Sequence, residues 1–116
     1  MNQLPHLSSV QQSSLSIQQA CLECIVACQR CADACLHEEH VQMMRTCIQR
    51  CLDCVETCKL CVAFEIRNSE LHHLAMDLCA KACELCAEEC GQHEDEHCQN
   101  CARACRACAE ACQIEG

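Results

Sequence analysis

Along most of this chain one apolar residue type returns at steps of three and four, with mostly polar or small residues between. That residue is cysteine. It falls into four groups: Cys21, Cys24, Cys28, Cys31 and Cys35; Cys47, Cys51, Cys54, Cys58 and Cys61; Cys79, Cys83, Cys86 and Cys90; and Cys98, Cys101, Cys105, Cys108 and Cys112. Strict alternation of three and four averages about 3.5 residues, the a/d repeat of packed helices. The segments CADAC, CAKAC, CARAC and CAEAC fill the spacers with good helix formers, and no glycine or proline interrupts a group. The pattern predicts four helices, each with one face of cysteine.

The intervals between groups carry the turns. Gly91 follows Cys90, where a helix is expected to end, and Asn68 and Ser69 are expected to cap the start of the third helix. The first turn falls around His37 to Val41. Residues 1–13, with Pro5 and a Ser/Gln-rich stretch, read as a flexible tail, and residues 14–116 as one domain; the first helix is expected to start between Ser9 and Ser16. Short connections make successive helices antiparallel, giving an all-α, up-down-up-down four-helix bundle with a cysteine-lined core. The steps match in that arrangement. The first group runs 3-4-3-4 and the second 4-3-4-3, so an antiparallel pair aligns its rungs. Extending the third group backward lands on Met76 and then His72, and extending the second lands on Met44 and then His40.

Composition sharpens this picture. Cysteine supplies 19 of the 116 residues and alanine another 14, which leaves 26 large apolar side chains with Phe64 the one aromatic. A core of aromatic and branched residues is excluded. The net charge of −9 and the lack of stacking side chains exclude a nucleic-acid surface. No apolar run approaches a membrane span, and the segment MNQLPHLSSVQQSSLSIQQ lacks the basic and apolar regions of a secretory signal. A cytoplasmic location, where thiols stay reduced, is expected.

Nineteen inward thiols point to metal. Cysteines three or four apart on one helix are badly oriented for the disulfide torsion, and so many residues exceed what a small apolar filler explains. All-thiolate surroundings select Cu(I), Zn(II) or iron–sulfur clusters. Zinc and iron–sulfur sites take their cysteines in fours, usually from knuckles, loops or helix ends, whereas these lie on unbroken helices. One Cu(I) per thiolate also neutralises a buried core, while each tetrathiolate Zn(II) leaves two negative charges behind. Roughly one Cu(I) per cysteine is therefore expected. The rivals are a Zn(II) or Cd(II) thiolate buffer and a redox thiol reservoir. No cysteine is set apart beside a base, so no enzyme is expected.

Four cysteine-lined helices built from CxxxC and CxxC steps resemble the cytosolic copper storage proteins of bacteria, and the resemblance spans Cys21 to Cys112. It implies a homotetramer of bundles serving copper storage and detoxification. It also implies that copper binds mainly at CxxxC pairs: Cys24/Cys28, Cys31/Cys35, Cys47/Cys51, Cys54/Cys58, Cys79/Cys83, Cys86/Cys90, Cys101/Cys105 and Cys108/Cys112. Cys21, Cys61 and Cys98 would then bind across helices or with other ligands.

The two ends of the bundle differ. In the expected topology one end collects His37, His40, Met43, Met44, His93 and His97 with the acidic run Glu94 to Glu96. His40, Met44, His93 and His97 are candidates for a mouth that accepts copper from a carrier, with Met43 beside them, and His37 reads as surface. The other end holds Ile17, Phe64, Ile66, Leu71, Leu74, Leu78 and Ile114, which read as a hydrophobic plug; His72 and Met76 there are candidate accessory ligands.

Overall fold

Steps of three and four place every cysteine of a group on one side of a helix, and burying that side against three similar faces generates the fold. The computed structural model describes the backbone of residues 9–115 and the side chains of residues 16–113. Four helices, α1 (Ser9–Leu36), α2 (Arg45–Ile66), α3 (His72–Cys90) and α4 (Glu96–Glu115), are joined by short turns, with a 3-10 turn over Val41–Met44 leading into α2. Each helix packs on the two that neighbour it around a ring, α1 on α2 and α4, and α3 on α2 and α4. This is the expected antiparallel bundle. Residues 1–8, most of the predicted tail, lie outside the described residues, and α1 is continuous from Ser9.

All nineteen cysteines are buried, and among the described residues no polar or charged side chain is. Alanines complete the seams: Ala32, Ala80, Ala87, Ala102 and Ala109 are buried beside the ladders, small enough to let the helix backbones close around the thiols. Val55, one position off its ladder, is the one branched side chain below 2 % exposure among the described residues.

The turns differ from expectation in two places. Asn68 and Ser69 do not cap α3, whose N-cap is Leu71, without a side-chain hydrogen bond. Asn68 instead takes a left-handed φ of 50°, which a short polar side chain tolerates, and Ser69 accepts a hydrogen bond at Oγ from the Leu71 amide at 3.1 Å. These residues shape the turn before the helix begins. Gly91 does follow α3, but with φ −64° it is right-handed. Its lack of a side chain serves close approach: a Cβ there would lie 2.8 Å from the Ala87 carbonyl oxygen and 2.9 Å from Arg106 Nη2. The Gln99 amide ties the same turn down, donating to the carbonyls of Gly91 at 3.1 Å and His93 at 2.7 Å.

The predicted plug is corrected as well. Ile66, Leu71, Leu74 and Leu78 are all more than half exposed, because they stand off the cysteine ladders on outer faces. Phe64 is half-buried under the Arg67 guanidinium, 5.0 Å from its ring centre. The side chain of Ile114 lies outside those described. Ile17 and Met76, which continue the inward seams, are buried at that end, with Ala75 beside them.

Candidate metal centre

The helical rungs meet as layers of thiols. Cys28, Cys51, Cys86 and Cys101 form one, with Cys101 Sγ 3.6 Å from Cys28, 3.6 Å from Cys51 and 3.8 Å from Cys86. The next holds Cys24, Cys54, Cys83 and Cys105, with Cys24 Sγ 3.5 Å from Cys54, 3.9 Å from Cys83 and 3.7 Å from Cys105. Further along come Cys21, Cys58, Cys79 and Cys108, and then Cys21, Cys61, Cys79 and Cys112. These quartets overlap. Cys21, Cys24, Cys28, Cys58, Cys79 and Cys108 each belong to at least two groups whose sulfurs lie within 4.8 Å of one another. The interior is thus one continuous column of sulfur and not a row of separate tetrahedral sites.

Neighbours on one helix also face each other. Cys24 and Cys28 lie 3.8 Å apart, Cys31 and Cys35 3.9 Å, Cys86 and Cys90 3.8 Å, and Cys101 and Cys105 3.9 Å. Two sulfurs so placed can offer one ion two thiolates. All nineteen cysteines are free thiols. Cys21 and Cys61, outside any CxxxC pair, meet Cys79 and Cys112 across the bundle. Cys98 lies 3.9 Å from Cys31.

Burial disfavours the thiolate when no cation is near. It pushes Cys35 up to about 12 and also raises Cys98. Deeper in the column, hydrogen bonds between thiols dominate. Cys105 is pushed up chiefly by its bond with Cys101, and Cys101 is pushed down chiefly by the same bond. One sulfur keeps its proton by sharing it, and its neighbour becomes the better thiolate. The thiols of the column are mutually hydrogen-bonded, an arrangement in which soft cations can replace protons.

A family model described as Csp, copper storage protein, matches residues 10–115. The chain belongs to the copper storage protein family. Solved structures agree. The Cu(I)-bound copper storage protein BsCsp3 is 38 % identical, with a TM-score of 0.85 over 89 % of this chain and 97 % of that one. Apo-Csp3 from Bacillus subtilis is 39 % identical, with a TM-score of 0.80 over 87 % of this chain and 96 % of that one. A cytosolic copper storage protein from Streptomyces lividans, captured during copper loading, is 36 % identical, with a TM-score of 0.86 over 89 % and 91 % of the two chains. No curated protein sequence matches. The family is non-enzymatic, as the residues suggest.

The ends of this copper storage protein's column are unequal. His97, in the first turn of α4, points Nδ1 at the thiols, 3.5 Å from Cys31 Sγ, 3.5 Å from Cys98 Sγ and 3.9 Å from Cys35 Sγ. Met44 is buried in the same core, while His40 and Met43 are exposed, because the 3-10 turn interrupts the backward extension of α2. His93 donates from Nε2 to Glu89 at 2.9 Å, and His37 donates from Nδ1 to the Asp33 carbonyl at 2.8 Å on the surface. At the far end Met76 is 1 % exposed, and the half-buried His72 donates from Nδ1 to the Ser69 carbonyl at 2.8 Å. Two residues at the His97 end escape a reading of the sequence. Glu89 stands four before His93, a spacing that pairs side chains on a helix. Glu38 carries no local signal, because the fold alone brings it 3.0 Å from His97 Nε2.

Proposed function

We propose that the chain stores copper in the cytosol at roughly one Cu(I) per cysteine, held by thiolates along the whole column. The observation that carries this reading is the overlap of the quartets: a sulfur shared between neighbouring groups suits bridging thiolates and a polynuclear Cu(I) array better than isolated Zn(II) sites. Cu(I)-bound BsCsp3 and the copper-loaded, cytosolic Streptomyces lividans protein support the choice of ion and place. Electroneutrality supports the count, since each Cu(I) replaces one thiol proton and leaves no net buried charge.

All nineteen cysteines are assigned as ligands: the CxxxC pairs take ions on one helix, and Cys21, Cys61 and Cys98 bind across helices. His97 is the mouth ligand, with Met44 behind it, and His40, His93 and Met43 stand outside as a first contact for ions from a carrier protein. His72 and Met76 are accessory donors at the other end. The exposed Leu22, Val26, Leu52, Leu74 and Leu78 are apolar surface suited to assembly of four such bundles.

Anaerobic titration of the reduced protein with Cu(I), in competition with a chelator and with Zn(II) run in parallel, tests the reading. Sulfur-to-copper charge-transfer absorption is expected to grow to about one ion per cysteine. Saturation at four or five ions, or tighter filling by Zn(II), overturns it.

A further inference from the structure

The sulfur column is not evenly spaced. With metal–sulfur bonds of about 2.3 Å, two sulfurs on one tetrahedral ion stand about 3.8 Å apart, and wider ligand angles spread them further. Most contacts in the column fit that spacing, as do Cys24 with Cys28 and Cys51 with Cys90, both at 3.8 Å. Cys47 and Cys90 lie 2.9 Å apart, the closest sulfur pair among the described residues, and Cys54 and Cys83 follow at 3.1 Å. The shorter contact stands midway between the spacing of a shared ion and an S–S bond of about 2.0 Å. Both pairs join α2 to α3, so neither has the same-helix relation that spoils the disulfide torsion. Position separates them. Cys47 is in the first turn of α2 and Cys90 is the last residue of α3, both beside turns at the His97 end. Cys47 Sγ lies 3.9 Å from Cys35, and Cys35 lies 3.9 Å from His97, whose side chain is 23 % exposed. Cys54 and Cys83 sit in a middle layer with Cys24 and Cys105.

We propose that Cys47 and Cys90 form a peroxide-sensitive pair, oxidised to a disulfide that withdraws two thiols from the column and is reopened by dithiols. In the first step one of the two sulfurs attacks the O–O bond of hydrogen peroxide, becomes a sulfenic acid and releases water. In the second the other sulfur attacks the sulfenic sulfur, forms the S–S bond and releases a second water. Two thiols and one peroxide thus give one disulfide and two waters, with two electrons passing from sulfur to oxygen. A partner already at 2.9 Å intercepts the sulfenic acid before a second peroxide carries it to sulfinic acid. A dithiol reverses the change through a mixed disulfide and leaves as its own disulfide. The consequence for copper rests on the reading of the column as a store; the cross-link itself does not.

The test treats the full, reduced, metal-free chain with stoichiometric hydrogen peroxide, alkylates the remaining thiols and maps cross-links by peptide mass spectrometry. Cys47–Cys90 is expected as the dominant first link, with the other cysteines alkylated. Cys47→Ser and Cys90→Ser are expected to lose that link and to accumulate sulfenic acid that a cyclic diketone traps, whereas Cys54→Ser keeps it. Oxidised wild type is expected to take up about two fewer Cu(I) ions than the reduced protein, with the loss recovered after dithiothreitol. First links spread over many pairs, Cys54–Cys83 linked ahead of Cys47–Cys90, or sulfinic acid formed without any link each overturn the assignment. These outcomes are read on wild type, so a poorly folded variant does not obscure them. A Cys47–Cys90 link that leaves Cu(I) capacity at the reduced value overturns the withdrawal of the two thiols from the store. Saturation of the unoxidised protein at four or five ions overturns storage at one ion per cysteine instead, and with it the consequence for copper.

Discussion

A thiol shut away from water holds its proton more tightly than one in an unfolded chain, and that difference is measurable as stability. Burial lifts Cys35 from 9.0 to about 12 and acts in the same direction on Cys98. The folded protein therefore binds more protons than the unfolded chain between those limits. The stabilisation is complete below about pH 9 and drains away as pH rises towards about 12. Melting temperatures of the reduced, metal-free protein are expected to fall steadily between pH 9 and pH 11. A flat or rising profile would mean that these two thiols are not dry. The same affinity for protons sets copper against acid: each ion displaces a proton, so apparent Cu(I) affinity declines as pH falls.

For the helices, the decisive quantity is how closely they approach. Ala102 on α4 is fully buried and faces Gly91 at the end of α3, its Cβ 3.9 Å from where a Gly91 side chain would start. Ala102→Leu is expected to cost about 1–3 kcal/mol by overpacking this seam, read from chemical denaturation of the reduced protein. The loss of helical signal should remain a single cooperative step. The helices, their antiparallel order and the inward thiols were legible in the sequence, because a single residue type marked the buried face at every turn. What lay off the ladders was less legible. Leu71, Leu74 and Leu78 read as a plug because they are apolar, yet they occupy outward positions, while the larger Ile17 and Met76 side chains are buried at that end. Glu38 could not be found from sequence, since its partner is 59 residues away and only tertiary packing joins them.

For the molecule as a whole, the thiols themselves fill the core. Every thiol has sulfur neighbours, and no buried side-chain nitrogen or oxygen among the described residues lacks a partner. Copper is expected to enter a folded bundle, and ions that bind the native state alone raise its stability by mass action. The melting temperature is expected to climb with each added equivalent of Cu(I) while far-ultraviolet circular dichroism stays nearly constant. A large gain in helix on loading would show instead that the metal builds the fold. The repeating rungs carry one more implication. Because the column advances by the same seven-residue unit in every helix, it behaves as a modular rack. Inserting one heptad in register into each of the four helices would lengthen it by about 10 Å and add about eight thiols. Capacity is then a matter of length alone, and a longer or shorter store could be made without redesigning a single layer.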